Sequence, residues 1–489
     1  MLGRAALSLA LLAGFYLLGL AVAAGLLWVA LQLSMSGSIG QLRLVWVCVA
    51  TAGVLLWSLR PRIDHFVEPG PRLTEEDQPE LFAVLAAVSR AAGERMPADV
   101  FVVDDCNAAV TNRGGVMGFG GHRVMLLGLP LMQLLSIREL QAVLAHEFGH
   151  FHGGDTALVR VVYQTRIAIA RTCVTMRGRL IDLLFYWYGH LYLRLSAAVS
   201  RSQEFAADAF AGRIASRRAL ASVIRKLEDA LPALVMYRVF TWDRIVAAGF
   251  RPSDVEGFGR VLATVRFADP SDLRDDEAHD AFDSHPDPAA RIRKLMADNT
   301  EAADDDTPRA ISLFKDVPLL EERLASFGRG DAVPLIEIAW EDVAQRVHAP
   351  AWRRTVDENL LALADMTFES LPTSEAAAAA AGRRTGTPMA KLADASEVAS
   401  KVTGAIVAAI SLRLCRDGWR ADPIPFDMVF ERDGVSQSPA STIPAVLLGN
   451  ADALVGWLEF CRVADLRGPL VEPYTTPAVE VRDRRVGEA

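Results

Sequence analysis

The 489 residues provide material for two or three domains, and a 51% hydrophobic content with a mean hydropathy of +0.21 argues against a wholly water-soluble chain. A net charge of −9, spread without a basic cluster, excludes nucleic acid as an implied partner. Five cysteines (Cys48, Cys106, Cys173, Cys415 and Cys461) without a C-x-x-C pair exclude a disulfide framework and fit reduced thiols, none of them a metal ligand.

No charged side chain occurs from Ala5 to Leu42, and roughly 20 apolar residues cross a bilayer. The expectation for residues 1–64 is a transmembrane hairpin with spans at about 6–33 and 39–59, the second beginning before Leu44 if Arg43 snorkels to the interface. Trp28, Trp46 and Trp57 lie near the expected ends. A cleavable signal peptide, with Arg4 ahead of the apolar run and Ala21-Val22-Ala23 as its site, is the competing reading. It is opposed by the further apolar residues and the second span. Arg4, Arg60 and Arg62 flank the hairpin while Arg43 alone lies between the spans, so the positive-inside rule places both ends, and the domain that follows, in the cytoplasm.

A soluble domain is expected over 65–300. Thr74-Glu75-Glu76-Asp77 resembles a helix start, and Leu81, Val84, Leu85 and Val88 continue an amphipathic helix to about Gly93. Four strands follow, at Val100–Val103, Ala108–Thr111, Val116–Phe119 and His122–Leu127, forming a small, largely antiparallel sheet. Its exposed edge could bind an extended peptide by main-chain pairing, or the sheet could only pack against the next helix; the residues leave both readings open.

That next helix carries the chemistry. Ser136-Ile137-Arg138-Glu139 is a capping box, so a helix begins at about Ser136, and Leu140, Leu144, Phe148 and Phe151 recur as its core face. Gly153-Gly154 should end it. On a different arc, His146-Glu147-Phe148-Gly149-His150 fits H-E-x-x-H. Positions i and i+4 share a face, so His146 and His150 can hold one tetrahedral Zn²⁺ with Glu147 beside them as a base. His152 faces away from that arc.

Residues 156–199 read as a hydrophobic helical hairpin lying against or partly in the membrane. Two complete spans there would leave Arg177 and Arg179 in an extracytoplasmic loop, against the charge rule. Next, Ser200-Arg201-Ser202-Gln203-Glu204-Phe205-Ala206-Ala207-Asp208 supplies carboxylates among small and apolar residues, where a solvated face would carry polar ones. A water-activating zinc site takes three protein ligands, which makes Glu204 the candidate third; Asp208, one turn on, can take the free N–H of a liganding histidine.

Together, the H-E-x-x-H helix, the hydrophobic insert and Ser-Arg-x-x-Glu-Phe-x-Ala-Asp resemble the integral-membrane gluzincins, the zinc endopeptidases of HtpX and CAAX-prenyl-protease type, over residues 65 to 300. The resemblance implies a mainly α, α+β gluzincin core, one zinc per chain, protein or peptide substrates, a lipid bilayer around the anchor and a part in membrane-protein quality control. Asp105-Cys106-Asn107-Ala108 resembles the family's Asn-Ala element beside the cleft, which implies substrate binding by Asn107 and Ala108. Ser284-His285-Pro286 through Arg291-Ile292 resembles its His-Pro-x-x-x-x-Arg-Ile element. That implies a place for His285 near the zinc, stabilising the tetrahedral intermediate or filling the open position, with Arg291 behind the ligands. Prenyl-protease members carry more spans than this chain.

Beyond residue 300 the resemblance fades. An acidic and Ala-rich linker is expected over 301–390, a small α+β domain over 391–475 and a disordered tail over 476–489. The C-terminal domain should hold a helix at Ala395–Leu414, a β-hairpin of Ile424–Glu431 and Ile443–Leu448 about Asp433-Gly434, and a helix at Asp452–Val463. The whole reads as a membrane-anchored zinc endopeptidase. The alternatives are a latent zinc-containing scaffold acting through its C-terminal domain, and a secreted metalloprotease released near Ala24.

Overall fold

The computed structural model describes residues 2–35, 39–60, 63–64, 66–116, 121–152, 169, 172, 174–175, 182–267, 269, 286–297, 307–327, 334–384, 394–422, 424 and 428–471. Among the described residues, the α-helices of six residues or more, in chain order, are α1 (Leu2–Met35), α2 (Leu42–Leu59), α3 (Pro79–Ala92), α4 (Leu129–Leu134), α5 (Ile137–Gly149), α6 (Asp182–Ile214), α7 (Arg217–Tyr237), α8 (Asp254–Thr264), α9 (Pro288–Met296), α10 (Val317–Ser326), α11 (Ala349–Glu358), α12 (Glu375–Arg383), α13 (Ala395–Arg416), α14 (Pro439–Leu447) and α15 (Ala451–Val463). Strands are short: β1 (Ile63–Asp64), β2 (Arg72–Leu73), β3 (Asp99–Val103), β4 (Ala108–Arg113), β5 (Gly115–Val116), β6 (His122–Gly128), β7 (Phe250–Arg251), β8 (Ile336–Glu337), β9 (Arg420–Asp422), β10 (Val429–Arg432) and β11 (Val435–Gln437). The protein is mainly α with small sheets. The chain divides into two compact units, Met1–Pro232 with Val265–Ala332, and Ala233–Thr264 with Val333–Ala489.

In the first unit, α1 and α2 form an antiparallel pair of candidate membrane spans, whose apolar windows cover Ala13–Met35 and Leu42–Leu59. Leu17, Leu20, Trp28, Leu31, Leu44, Trp46 and Trp57 point outward, a surface that water would penalise and lipid would not. The sheet runs β2-β3-β6-β4. It is largely antiparallel, as expected, through β2 with β3 and β4 with β6, with one parallel pair and one strand placed elsewhere. β3 and β6 pair in parallel, Val100 opposite Met125 and Val102 opposite Leu127. The expected third strand leaves this sheet altogether: β5 pairs with β1, Val116 opposite Ile63. Gly128 explains part of this arrangement, since a Cβ there would meet Asp105 O at 1.7 Å; the backbone of the turn between β3 and β4 sits directly against the end of β6.

Helix α3 starts one turn after Thr74, because the Thr74 hydroxyl and carbonyl instead close a turn with the amides of Asp77 and Gln78. Helix α5 has the expected capping box: Glu139 N–H donates to Ser136 Oγ at 3.2 Å and Ser136 N–H to Glu139 Oε2 at 2.9 Å. Its Leu140, Leu144 and Phe148 are fully buried. It ends at Gly149 with His150 as its C-cap, before Gly153-Gly154, as Phe151 N–H turns to Phe148 O and His152 N–H to Gly149 O. Most of the insert at 156–199 that precedes α6, and all of the tail at 476–489, lie outside the described residues.

The second unit is built around α13, whose Val398, Val402, Ile406, Ile410 and Leu414 join Phe368, Phe430 and Trp457 in one core. Much of the region expected as linker is part of that core: Val356 of α11 and Ala378, Ala379 and Ala381 of α12 are buried in it, and Gly382 lets α12 sit against Val398 and Val402. The expected hairpin turns at Asp433-Gly434, but β10 pairs with Val435–Gln437. The apolar run at 443–448 is α14 instead, because Ser438 caps it, its Oγ accepting from Ser441 N–H, and Pro439 suits the first turn of a helix. Phe250 and Arg251 pair in parallel with Ile336 and Glu337 in this unit, and Trp340 lies over Gly257 and Tyr237.

Candidate active site

Three elements of the first unit converge. α5 presents His146 and His150, one turn apart, and α6 presents Glu204 and Asp208, also one turn apart. The two helices approach closely at Gly149, where a Cβ would stand 3.0 Å from Phe210 Cδ1 and 3.2 Å from Ala207 Cα. Gly149, an x position of H-E-x-x-H, thus sets the helix separation that brings Glu204 to the histidines, which a motif of ligands alone does not reveal. α9 brings Arg291.

His146 Nε2 and His150 Nε2 are 3.2 Å apart, His146 Nε2 is 3.4 Å from Glu204 Oε2, and His150 Nε2 is 3.8 Å from Glu204 Oε1. All three residues offer a ligand atom within 4.8 Å of one another. For ligands at 2.0–2.1 Å from a tetrahedral Zn²⁺, neighbouring donor atoms are about 3.3–3.4 Å apart, so the spacing fits that ion. Two unprotonated ring nitrogens and a carboxylate facing one point repel one another unless a cation, a metal ion or a proton, lies among them.

The groups behind these three are strongly coupled. Asp208, buried, takes a bidentate pair of hydrogen bonds from Arg291, Nε to Oδ2 at 2.9 Å and Nη2 to Oδ1 at 2.7 Å. Asp208 Oδ1 lies 3.0 Å from His146 Nδ1, although the two are not aligned as a hydrogen bond. Arg291 Nη2 also lies 3.6 Å from Glu204 Oε2. Burial opposes charge on His146, but the Asp208 and Glu204 carboxylates outweigh it and raise its pKa to about 9. Burial and the charge on His146 push His150 down to about 4. Asp208 is held low, since His146 and Arg291 together overcome its burial.

Glu147 sits on the cavity side, and burial raises its pKa above the usual carboxylate range. Among the described residues, the hydrogen bond it receives is a single 3.3 Å contact from Val110 N–H of β4. β4 is the edge of its sheet. Because Val110 N–H points outward and positions alternate, the outward main-chain groups belong to Ala108, Val110 and Asn112. The cavity, about 630 Å³, is bounded by Asn107, Ala108 and Ala109 on one side and by Leu220, Val223, Ile224, Leu227 and Leu231 of α7 on the other. Asn107 is exposed and Ala108 buried, both at the rim of this cavity. His152 turns away from His146, His150 and Glu204 and stacks on Phe210, ring centroids 4.3 Å apart. His285 lies outside the described residues.

A family model described as peptidase family M48 matches residues 75–298, which hold every residue of this site. Proteins similar to this chain include the HtpX protease homologue of Pyrococcus abyssi, 29% identical over 185 residues that make up 32% of this chain and 60% of that protein. That of Thermoplasma volcanium is 26% identical over 299 residues, 57% of this chain and 91% of the relative. That of Trichormus variabilis is 27% identical over 210 residues, 37% of this chain and 68% of the relative. No solved structure matches the chain.

Proposed function

We propose that the protein is a membrane-anchored zinc-dependent endopeptidase that hydrolyses peptide bonds of protein substrates. The observation that carries this reading is the convergence of His146, His150 and Glu204 on one point, with Glu147 at its edge and an apolar cavity alongside. Zinc held by the three ligands would supply Lewis-acid polarisation of a water and of a peptide carbonyl. Glu147 would accept the proton of the attacking water and pass it to the leaving amine; its burial and its one weak hydrogen bond favour a carboxylate able to do both. Asp208 and Arg291 would hold His146 and Glu204 in place. The outward edge of β4 would align an extended substrate by main-chain pairing at Ala108 and Val110, with Asn107 at the rim. His285 would support the oxyanion.

The exposed apolar faces of α1 and α2 support an integral-membrane anchor, and the arginines at Arg4 and Arg60 support a cytoplasmic active site. The relatives' name, HtpX protease, supports the protease reading, and the motif resemblance suggests membrane-protein quality control as the setting. Incubation of the purified full-length protein with a loosely folded protein such as casein tests the reading. Cleavage should stop on treatment with a zinc chelator and return with added Zn²⁺, and a Glu204→Ala variant should bind less than one tenth of the zinc. Casein digestion unaffected by complete metal removal would contradict it.

A further inference from the structure

The two histidines of the site are held by different means. His146 lies inside α5, buried, with Asp208 Oδ1 3.0 Å from its Nδ1. His150 is the C-cap of the same helix, its own N–H reaches His146 O at 3.3 Å, and its side chain is 24% exposed. Among the described residues, the polar partners of the His150 ring are His146 Nε2 and Glu204, the other two members of the site. No group from outside the site orients it there as Asp208 orients His146. A helix end frays unless something beyond the helix holds it, and a histidine that binds a metal ion must have its ring fixed.

The next two residues supply that hold from two elements. Phe151 lies under Arg123 of β6, whose guanidinium carbon is 4.1 Å from the ring centroid. Arg123 is itself fixed, its Nη1 donating to Glu94 Oε2 at 3.1 Å and to Arg95 O at 3.0 Å. His152 stacks on Phe210 of α6, and Phe210, buried, also faces Gly149. The first contact ties the end of α5 to the sheet that carries Val110; the second ties it to the helix that carries Glu204 and Asp208. Between them the backbone is tight: Phe151 N–H donates to Phe148 O at 2.9 Å, and His152 N–H is shared by Phe148 O and Gly149 O, each at 3.2 Å. Residues 150–152 therefore move together, and pinning the side chains of two places the third. Filling the core explains these rings poorly, since Phe151 is half-buried and His152 exposed.

We infer that Phe151 on Arg123 and His152 on Phe210 form a two-sided clamp that positions His150 as a metal ligand. The inference rests on the zinc site of the proposed function, and it makes these four side chains positioning residues, none of them a ligand. Loss of either stacked ring frees the last turn of α5, so that His150 leaves the metal while His146 and Glu204 keep their places.

Two arms test this with the full-length protein in detergent micelles. In the first, zinc release from the loaded protein to an excess of a chromophoric chelator should be about ten-fold faster or more for Phe151→Leu and His152→Ala, and within about two-fold of wild type for Phe151→Tyr and His152→Phe, which keep a stacked ring. Release at the wild-type rate from the two ring-removing variants would overturn the inference, as would equally fast release from the ring-keeping pair. In the second, on metal-free protein, amide hydrogen exchange at residues 150–152 should be about ten-fold faster or more in Phe151→Leu and His152→Ala, with residues 140–146 unchanged. Exchange identical to wild type would overturn the clamp. A wild type that holds no zinc would count against the metal site, and the exchange arm would still decide whether the clamp exists.

Discussion

Two glutamates eight residues apart on the same helix have opposite surroundings. Glu139, at the start of α5, is 3% exposed and fully served: Ser136 N–H, Ser222 O–H at 2.6 Å and Lys226 Nζ at 2.7 Å all reach its carboxylate. Glu147, two turns on, is half-buried, receives one long amide contact from the described residues and faces a cavity. A satisfied buried carboxylate has nothing left to offer a substrate, and its interactions go into holding α5 against α7. A poorly satisfied one keeps lone pairs and proton affinity available, at a cost in stability that the rest of the core offsets. The difference separates a structural acid from a candidate catalytic one without reference to any motif.

That contrast can be broken from either end. The largest effect is expected for Glu147→Gln, a fall of about 10²–10⁴ in kcat with an unchanged unfolding midpoint, checked by casein hydrolysis beside thermal unfolding. Glu139→Ala should do the reverse, costing about 3 kcal/mol of stability because Lys226 and two donors lose their partner, while activity per folded molecule stays near wild type. A chemical denaturation series and an active-fraction measurement would check it. Asp208→Asn should weaken zinc binding by about 10–100-fold, read by competition with a chromophoric chelator, since it loosens both His146 and Arg291. The smallest effect is expected from Ser136→Ala, about 1 kcal/mol of stability from loss of the cap, again by denaturation.

The parts of the site that depend on local spacing were legible in the sequence. Ser136 and Glu139, His146 and His150, and Glu204 and Asp208 are each separated by one helical turn, so periodicity alone pairs them. What was not legible depends on distant partners. Ser222 and Lys226 find Glu139 more than 80 residues away, and Gly149 matters because of Ala207 and Phe210. The parallel pairing of β3 with β6 follows from how β4 is threaded between them in the chain, which alternating hydrophobicity does not encode. Hydropathy alone also fails to separate α13 from α1 and α2. All three are long and apolar enough to span a membrane, but α13 is covered by α11, α12 and α14, whereas α1 and α2 leave leucines and tryptophans uncovered. The run at 443–448 became a helix because its start residues, Ser438 and Pro439, outweighed its β-branched content.

The most direct measurement compares wild type and Glu147→Gln, purified in full length, for zinc content and for casein hydrolysis in the same preparation. The expected result is one zinc per chain in both and hydrolysis in wild type alone. A Glu147→Gln protein that digests casein as fast as wild type would contradict the assignment of Glu147 as the base, and with it the proposed mechanism.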